Sequence, residues 1–132
     1  MKKRILLADI PESDARLSRI LDRHDLAVVR TLGEAQRAAA REAFDLVLIG
    51  VHFDDSRMFD LLRHLQASGR HAGRPIACVR SQHFLSPAIS LEGLEIAAKA
   101  LGCALFLDLT WYADDAHGNG AVRSLLEALI NP

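Results

Sequence analysis

The chain has 132 residues, half of them hydrophobic and a quarter charged, the composition of one globular domain rather than a disordered segment. Sixteen basic residues against seventeen acidic ones leave a formal charge of −1, which disfavours a nucleic-acid binder working by bulk charge. No apolar run approaches the ~20 residues of a membrane span, and the apolar stretch after Lys2-Lys3-Arg4 is too short for a signal peptide, so a cytosolic location is expected.

Short apolar runs alternate with longer amphipathic stretches along the chain. Ile5-Leu6-Leu7-Ala8 reads as a buried strand, and from Ser13 the positions Leu17, Ile20, Leu21 and His24 follow a helical stripe. Leu26-Ala27-Val28-Val29 is a second strand. Thr31 and Glu34, three apart, have capping-box spacing and open an alanine-rich helix through about Glu42. Leu46-Val47-Leu48-Ile49 is a third strand, continuously apolar as a sheet covered on both faces requires. Met58, Leu61, Leu62 and Leu65 mark the inward face of the next helix. Gly69 to Arg74 is a loop, and Pro75-Ile76-Ala77-Cys78-Val79 is the fourth strand. Ser86-Pro87 has the form of an N-cap with proline at the first helical position, giving a helix to about Leu101 that stops at Gly102. Cys103-Ala104-Leu105-Phe106-Leu107 is the fifth strand, and a last helix carries Val122, Leu125, Leu126 and Leu129.

Five strand–helix units in alternation imply an α/β fold with a parallel sheet and helices on both faces, because parallel neighbours need crossover connections. The expected architecture is a single domain over residues 1–132: a doubly wound (βα)5 three-layer sandwich with strand order 2-1-3-4-5. Ligands in such a fold bind at the carboxyl ends of the strands. Those ends carry Asp9, Ile10, Gly50, Arg80, Ser81, Asp108, Leu109 and Thr110.

The strands carry a specific resemblance. Ile5-Leu6-Leu7-Ala8-Asp9 resembles the first strand of a response-regulator receiver domain, and Phe44 to Val51 resembles that family's third strand. Pro75 to Val79 and Ala100 to Leu107 resemble its fourth and fifth strands, so the likeness spans about residues 3–130. The resemblance implies the flavodoxin-like receiver fold of two-component signalling. It also implies a reaction: receivers accept a phosphoryl group from a histidine kinase on an aspartate ending the third strand, beside acids that hold magnesium. Here that aspartate position is Gly50, which has no side chain to act as nucleophile. Asp9 remains of the acidic pair, but its partner position is Ile10. The switch Ser/Thr corresponds to Arg80, or to Ser81 in a register shifted by one. The family's lysine and following proline fall on Leu109 and Thr110. The resemblance with these departures implies a degenerate pseudo-receiver, not an enzyme, with no cofactor and no metal.

Asp54 and Asp55, four and five residues past Gly50, are read as helix N-caps rather than substitute acceptors. Arg80 has two readings, a bidentate partner for Asp9 or a solvent-facing strand end. Asp114, Asp115 and His117 match no metal motif and read as a solvated loop in a long segment from Leu109 to Gly120. Arg63, Arg70, Arg74 and Arg80 with His64, His71 and His83 scatter too widely for one phosphate patch. The glycine-free Asp9-Ile10-Pro11-Glu12 argues against flavin. No Ser/His/Asp ordering supports a hydrolase triad. Cys78 and Cys103 read as buried thiols, with no CxxC pair or Cys/His cluster for zinc.

The expected function is a response-regulator-like module that acts by protein–protein interaction, independent of phosphorylation. The partner would be a signalling kinase, an effector domain or a second copy. The alternative is a small-anion or nucleotide sensor using the vacated strand-end cleft, with Arg80 as anchor. Projected at ~100° per residue, the helix before Gly102 has one apolar arc for the sheet (Leu91, Leu94, Ala97, Ala98, Leu101) and another on the opposite side. The second arc, Ile89, Gly93, Ile96 and Ala100, is expected to lie in a homodimer or partner surface with Trp111 and Tyr112. In receivers the fourth helix, fifth strand and fifth helix form that surface. Trp111 and Tyr112 have a second reading, an aromatic lid over the sheet edge.

Overall fold

The computed structural model describes residues 2–82 and 90–132. Five parallel strands form one sheet in the order β2-β1-β3-β4-β5: β1 (Arg4–Ala8), β2 (Asp25–Val29), β3 (Leu46–Gly50), β4 (Ile76–Arg80) and β5 (Leu105–Asp108). Between and after them run α1 (Asp14–Ile20), α2 (Leu32–Arg41), α3 (Met58–Ala67), α4 (Leu91–Ala100) and α5 (Ala116–Ile130). This is the expected doubly wound fold and strand order.

Alternation along the strands sorts their side chains into two cores. Leu6, Ala8, Val47, Ile49 and Cys78 face α2, α3 and α4, where Ala35, Ala39, Leu61, Leu62 and Ala98 meet them. Ile5, Leu7, Leu46, Leu48, Ala77, Val79 and Leu107 face α1 and α5, against Leu17, Ile20, Leu21, Val122 and Leu126. Each fully buried aliphatic side chain contributes about 1.5–3 kcal/mol. β3, buried along its whole length, is the spine of both layers.

Local chemistry sets the element ends. The capping box of α2 is complete: Thr31 Oγ1 accepts from Glu34 N, and the Glu34 carboxylate accepts from Thr31 N. The Ser86-Pro87 start lies outside the described residues; α4 runs from Leu91, capped by Ser90, whose Oγ accepts from Gly93 N at 3.1 Å. α5 begins at Ala116, earlier than the long loop to Gly120 allowed, because Asp115 Oδ1 accepts from Gly118 N at 2.8 Å. Its inward face is Val122, Leu126 and Ile130; Leu125 points outward and is exposed.

His24 lies beyond the end of α1, in the turn before β2. Its buried Nδ1 accepts from Lys3 N, which leaves the proton on Nε2 to be donated to Glu127 Oε1 at 2.6 Å. That bond ties the C-terminal turn of α5 to the foot of β1.

Neither Asp54 nor Asp55 caps the helix that follows them. The N-cap position of α3 is Arg57, with no side-chain bond. Asp54, Asp55 and Ser56 instead form a left-handed turn, with φ of 43°, 55° and 66°. Short polar side chains tolerate that region best. The turn swings the Asp54 carboxylate across to α2, where Oδ2 accepts from Leu32 N at 2.8 Å. An acid thus satisfies an orphan donor on a neighbouring helix. Asp54→Ala should cost about 1–2 kcal/mol in urea unfolding, as lost caps do, and Asp54→Asn, which keeps an acceptor oxygen, should recover most of it.

Candidate functional site

The carboxyl edge of the sheet is assembled by the strand register. Ala8 pairs with Ile49, Gly50 with Val79, and Arg80 with Asp108, so the residues just past these pairs converge at one edge. Asp9, the first residue past β1, is 1% exposed. Its carboxylate lies directly over the α-carbon of Gly50: a Cβ placed on residue 50 would overlap the carboxyl carbon and both oxygens of Asp9. Glycine leaves room here for the Asp9 carboxylate to lie on the β3 backbone.

Burial dominates the chemistry of Asp9. Oδ1 accepts from Ile10 N at 2.8 Å, while Oδ2 is buried and has no hydrogen-bond partner among the described residues. Loss of hydration pushes its pKa from 3.8 up to about 6, against the hydrogen bonds of Ile10 and Ser13 and the charge of Arg30, which pull it down. Ser13 Oγ also meets Ser81 Oγ at 2.5 Å, joining the turn after β1 to the end of β4.

Three arginines border this edge, each engaged internally. Arg80 does not pair with Asp9. It points across to β5, where Nη1 donates to Asp108 Oδ2 at 2.9 Å, and Nε donates to the Gln82 carbonyl at 3.1 Å. Both side chains of that pair are more than four-fifths buried, so Arg80 is not a solvent-facing strand end either. Asp108 Oδ1 accepts from Thr110 N and Oγ1, which turns the chain out of β5. Arg30 pairs with Asp14 and donates to the Asp9 carbonyl. Arg16 donates to the carbonyls of Leu109, Tyr112 and Ala113 and to Asn119 Oδ1, at 2.7 to 3.1 Å.

Arg16 is the residue that sequence reasoning missed. It is one of several arginines on an amphipathic helix, and no spacing signal links it to carbonyls roughly a hundred residues away. Leu109, which the resemblance places where receivers carry a lysine, is buried in the α1–α5 core, and Thr110 is half-buried. Ile10 borders a cleft with Glu12, His52 and Gln82.

Magnesium does not fit this arrangement. It binds through hard oxygen ligands with near-octahedral geometry, and a site without phosphate needs more than one carboxylate. Asp9 supplies one carboxylate, desolvated and packed on backbone, beside the apolar Ile10. Among the described residues no three metal-ligating side chains cluster, and Asp114, Asp115 and His117 form no such group. Asp114 instead pairs with Arg19 and accepts from Asn119 Nδ2. Elsewhere the basic segment disperses, with Arg63 against Asp60 and Arg74 against Asp45. His83 lies outside the described residues.

The residues expected at a partner surface do not converge on this edge. Gly93, Ile96 and Ala100 are exposed on α4, Ile96 at 63%. Trp111 is 81% exposed, not packed down as a lid on the described residues, while the half-buried Tyr112 packs against the α1–α5 core. Ile89 lies outside the described residues. No helix among the described residues is long and apolar enough to cross a membrane.

No protein-family model and no curated protein matches the chain. Solved structures match it along its length. One is the receiver domain of a Pseudomonas aeruginosa sensor histidine kinase with magnesium in its active-site cleft, at TM-score 0.73 and 18% identity, covering 100% of both chains. Another is a phosphorylated cyanobacterial phytochrome response regulator, at TM-score 0.76 and 16% identity, covering 99% of this chain and 96% of that one. A third is an orphan response regulator of H. pylori, at TM-score 0.70 and 13% identity, covering 98% and 97%. At these identities the likeness is one of fold: this chain has the receiver fold.

The raised pKa of Asp9 makes a measurable contribution to stability. The folded state holds the Asp9 proton up to about pH 6, whereas the unfolded chain releases it near the ordinary 3.8. Stability from this group is therefore fully present below about pH 4 and is lost as pH rises through 6, a loss of roughly 3 kcal/mol by linkage. Asp9→Asn should remove that loss and unfold at higher urea than the wild type at pH 8, by about 1–2 kcal/mol after the cost of its unpartnered amide. At pH 4 the advantage should vanish.

Proposed function

We propose that this chain is a receiver-like signalling module that is not switched by phosphorylation and acts by binding a protein partner. The observation that carries the reading is the position of the Asp9 carboxylate over the bare α-carbon of Gly50. Phosphoryl transfer needs an acceptor oxygen in line with the donor and cations around the transferred group. The acceptor position has no side chain, and the space such a side chain needs is filled by the one remaining acid. The arginines at this edge face acids and carbonyls of the chain itself. The same observations weaken the small-anion sensor, because the Arg80 charge meets Asp108 and the neighbouring cleft has Glu12 on its rim.

Incubation with acetyl phosphate and Mg²⁺, read by intact mass, tests the reading. The expected outcome is no added phosphoryl group. Asp54 is held on the N-terminus of α2, so it offers no substitute acceptor. Gly50→Asp should also stay unmodified, because Ile10 and Leu109 leave a metal and the phosphoryl oxygens without partners. A phosphoadduct on either protein overturns the proposal.

For the partner surface we propose the face made by α4, β5 and α5, with a second copy of this chain as occupant. Ile96 and Trp111 expose large apolar area there, and Leu91, Glu95, Phe106, Asp108 and Tyr112 border a groove beside Trp111. Exposed apolar area of this kind marks interfaces. Ile96→Glu should shift sedimentation from dimer toward monomer while leaving the urea midpoint unchanged. A wild-type chain that sediments as a monomer at high concentration rejects the self-association.

A further inference from the structure

The amino edge of the sheet carries a cleft of about 450 Å³, where the loop before β4 and the turn before β5 meet the last turn of α5. Ligand pockets commonly fall in the range of about 300–1,000 Å³. Pro75, Ile76 and Leu129 give the cleft an apolar wall, and Gln66, His71 and Arg74 give it polar groups. Among the described residues no Asp or Glu lines it.

His71 is the buried polar member of this set, 4% exposed. Its Nε2 accepts from Phe44 N at 3.4 Å, which leaves the proton of the neutral ring on Nδ1. That N–H is buried and has no partner among the described residues. An unbonded buried donor is unfavourable, so an acceptor brought to it relieves that cost on binding. Burial and the charges of Arg74, Arg70 and His64 hold the ring's pKa below its usual value, which keeps His71 a neutral donor.

Arg74 brings the charge. Its Nη1 meets the Phe44 carbonyl at 3.3 Å and Asp45 Oδ1 at 3.5 Å, while Nε and Nη2 have no partner among the described residues. One tight turn sets Arg74 beside His71. Arg74 N bonds to the His71 carbonyl at 3.1 Å, and Gly73 between them has a φ of 77°, the left-handed position of a type II turn. The Gln66 amide lies over Gly102, in the space that a Cβ there would take.

A guanidinium and a buried N–H donor beside an apolar wall, with no acid among them, suit an anion that has an apolar body. The planar fork of arginine matches a carboxylate. We propose that this cleft binds a small organic acid, its carboxylate taken by Arg74 and the His71 Nδ1–H and its body lying on Pro75, Ile76 and Leu129. Gln66 and Arg74 are exposed, so they can shift to let the carboxylate reach the buried Nδ1. The site lies at the opposite end of the strands from Asp9 and does not depend on the reading of that edge.

The test titrates the whole ¹⁵N-labelled chain with sodium benzoate at neutral pH and follows imidazole and amide shifts. The expected result is a saturable shift of His71 Nδ1, with the amides of Gly73, Arg74 and Gly102 moving at the same Kd. Benzamide keeps the shape without the charge, and inorganic phosphate keeps charge without the apolar body. Each should bind at least about tenfold more weakly than benzoate. Arg74→Gln should raise the benzoate Kd about tenfold and leave the rest of the amide spectrum in place. No saturable shift at His71, or benzamide or phosphate binding as tightly as benzoate, overturns the proposal; the wild-type titration stands even where Arg74→Gln fails to fold.

Discussion

One packing arrangement organises the carboxyl edge: the carboxylate of Asp9 lies in the space that the side chain of residue 50 would otherwise take. β1 and β3 are hydrogen-bonded neighbours, so their ends lie side by side whatever the loops do. With glycine at 50 the carboxylate lies down on the backbone, leaves water and loses a partner for one oxygen. An acid that binds a cation must stay hydrated or find its counter-charge. Asp9 does neither fully, and its raised pKa is the thermodynamic trace of that position.

Around this acid the edge is bonded to itself. Arg16 gathers the carbonyls leaving β5, Arg30 joins Asp14 to the Asp9 carbonyl, and Arg80 closes on Asp108. Each guanidinium meets acceptors fixed by a different element, so the loops after β1, β4 and β5 are braced against one another. Such bonding, more than half-buried, resists rearrangement because removing one partner strands the other without hydration. A site built to exchange a charged group would keep some of these donors for the ligand. Here they hold the protein together.

The opposite edge behaves differently. His24 and Glu127 fasten α5 to the foot of β1, and His71 stacks on Phe44 with its Nε2 accepting from Phe44 N.

The sequence by itself determined the layers and the strand order. Apolar runs such as Leu46 to Ile49 have to be buried on both faces, and the lengths between runs suit helical crossovers. It also determined that positions 50 and 10 carry no acid, because an absent side chain is absent in every conformation. The capping box at Thr31 and Glu34 was legible for the same reason: its bonds span three residues. Tertiary structure alone decided what the remaining polar groups do. Asp54 points to another helix because three left-handed residues turn it there. Arg80 faces Asp108 rather than Asp9 because β4 and β5 set those two residues opposite one another. Arg16 meets carbonyls far along the chain only after the sheet has closed. Burial is a property of each residue and is written in its chemistry; the partner of a charge is a property of distance, which folding supplies.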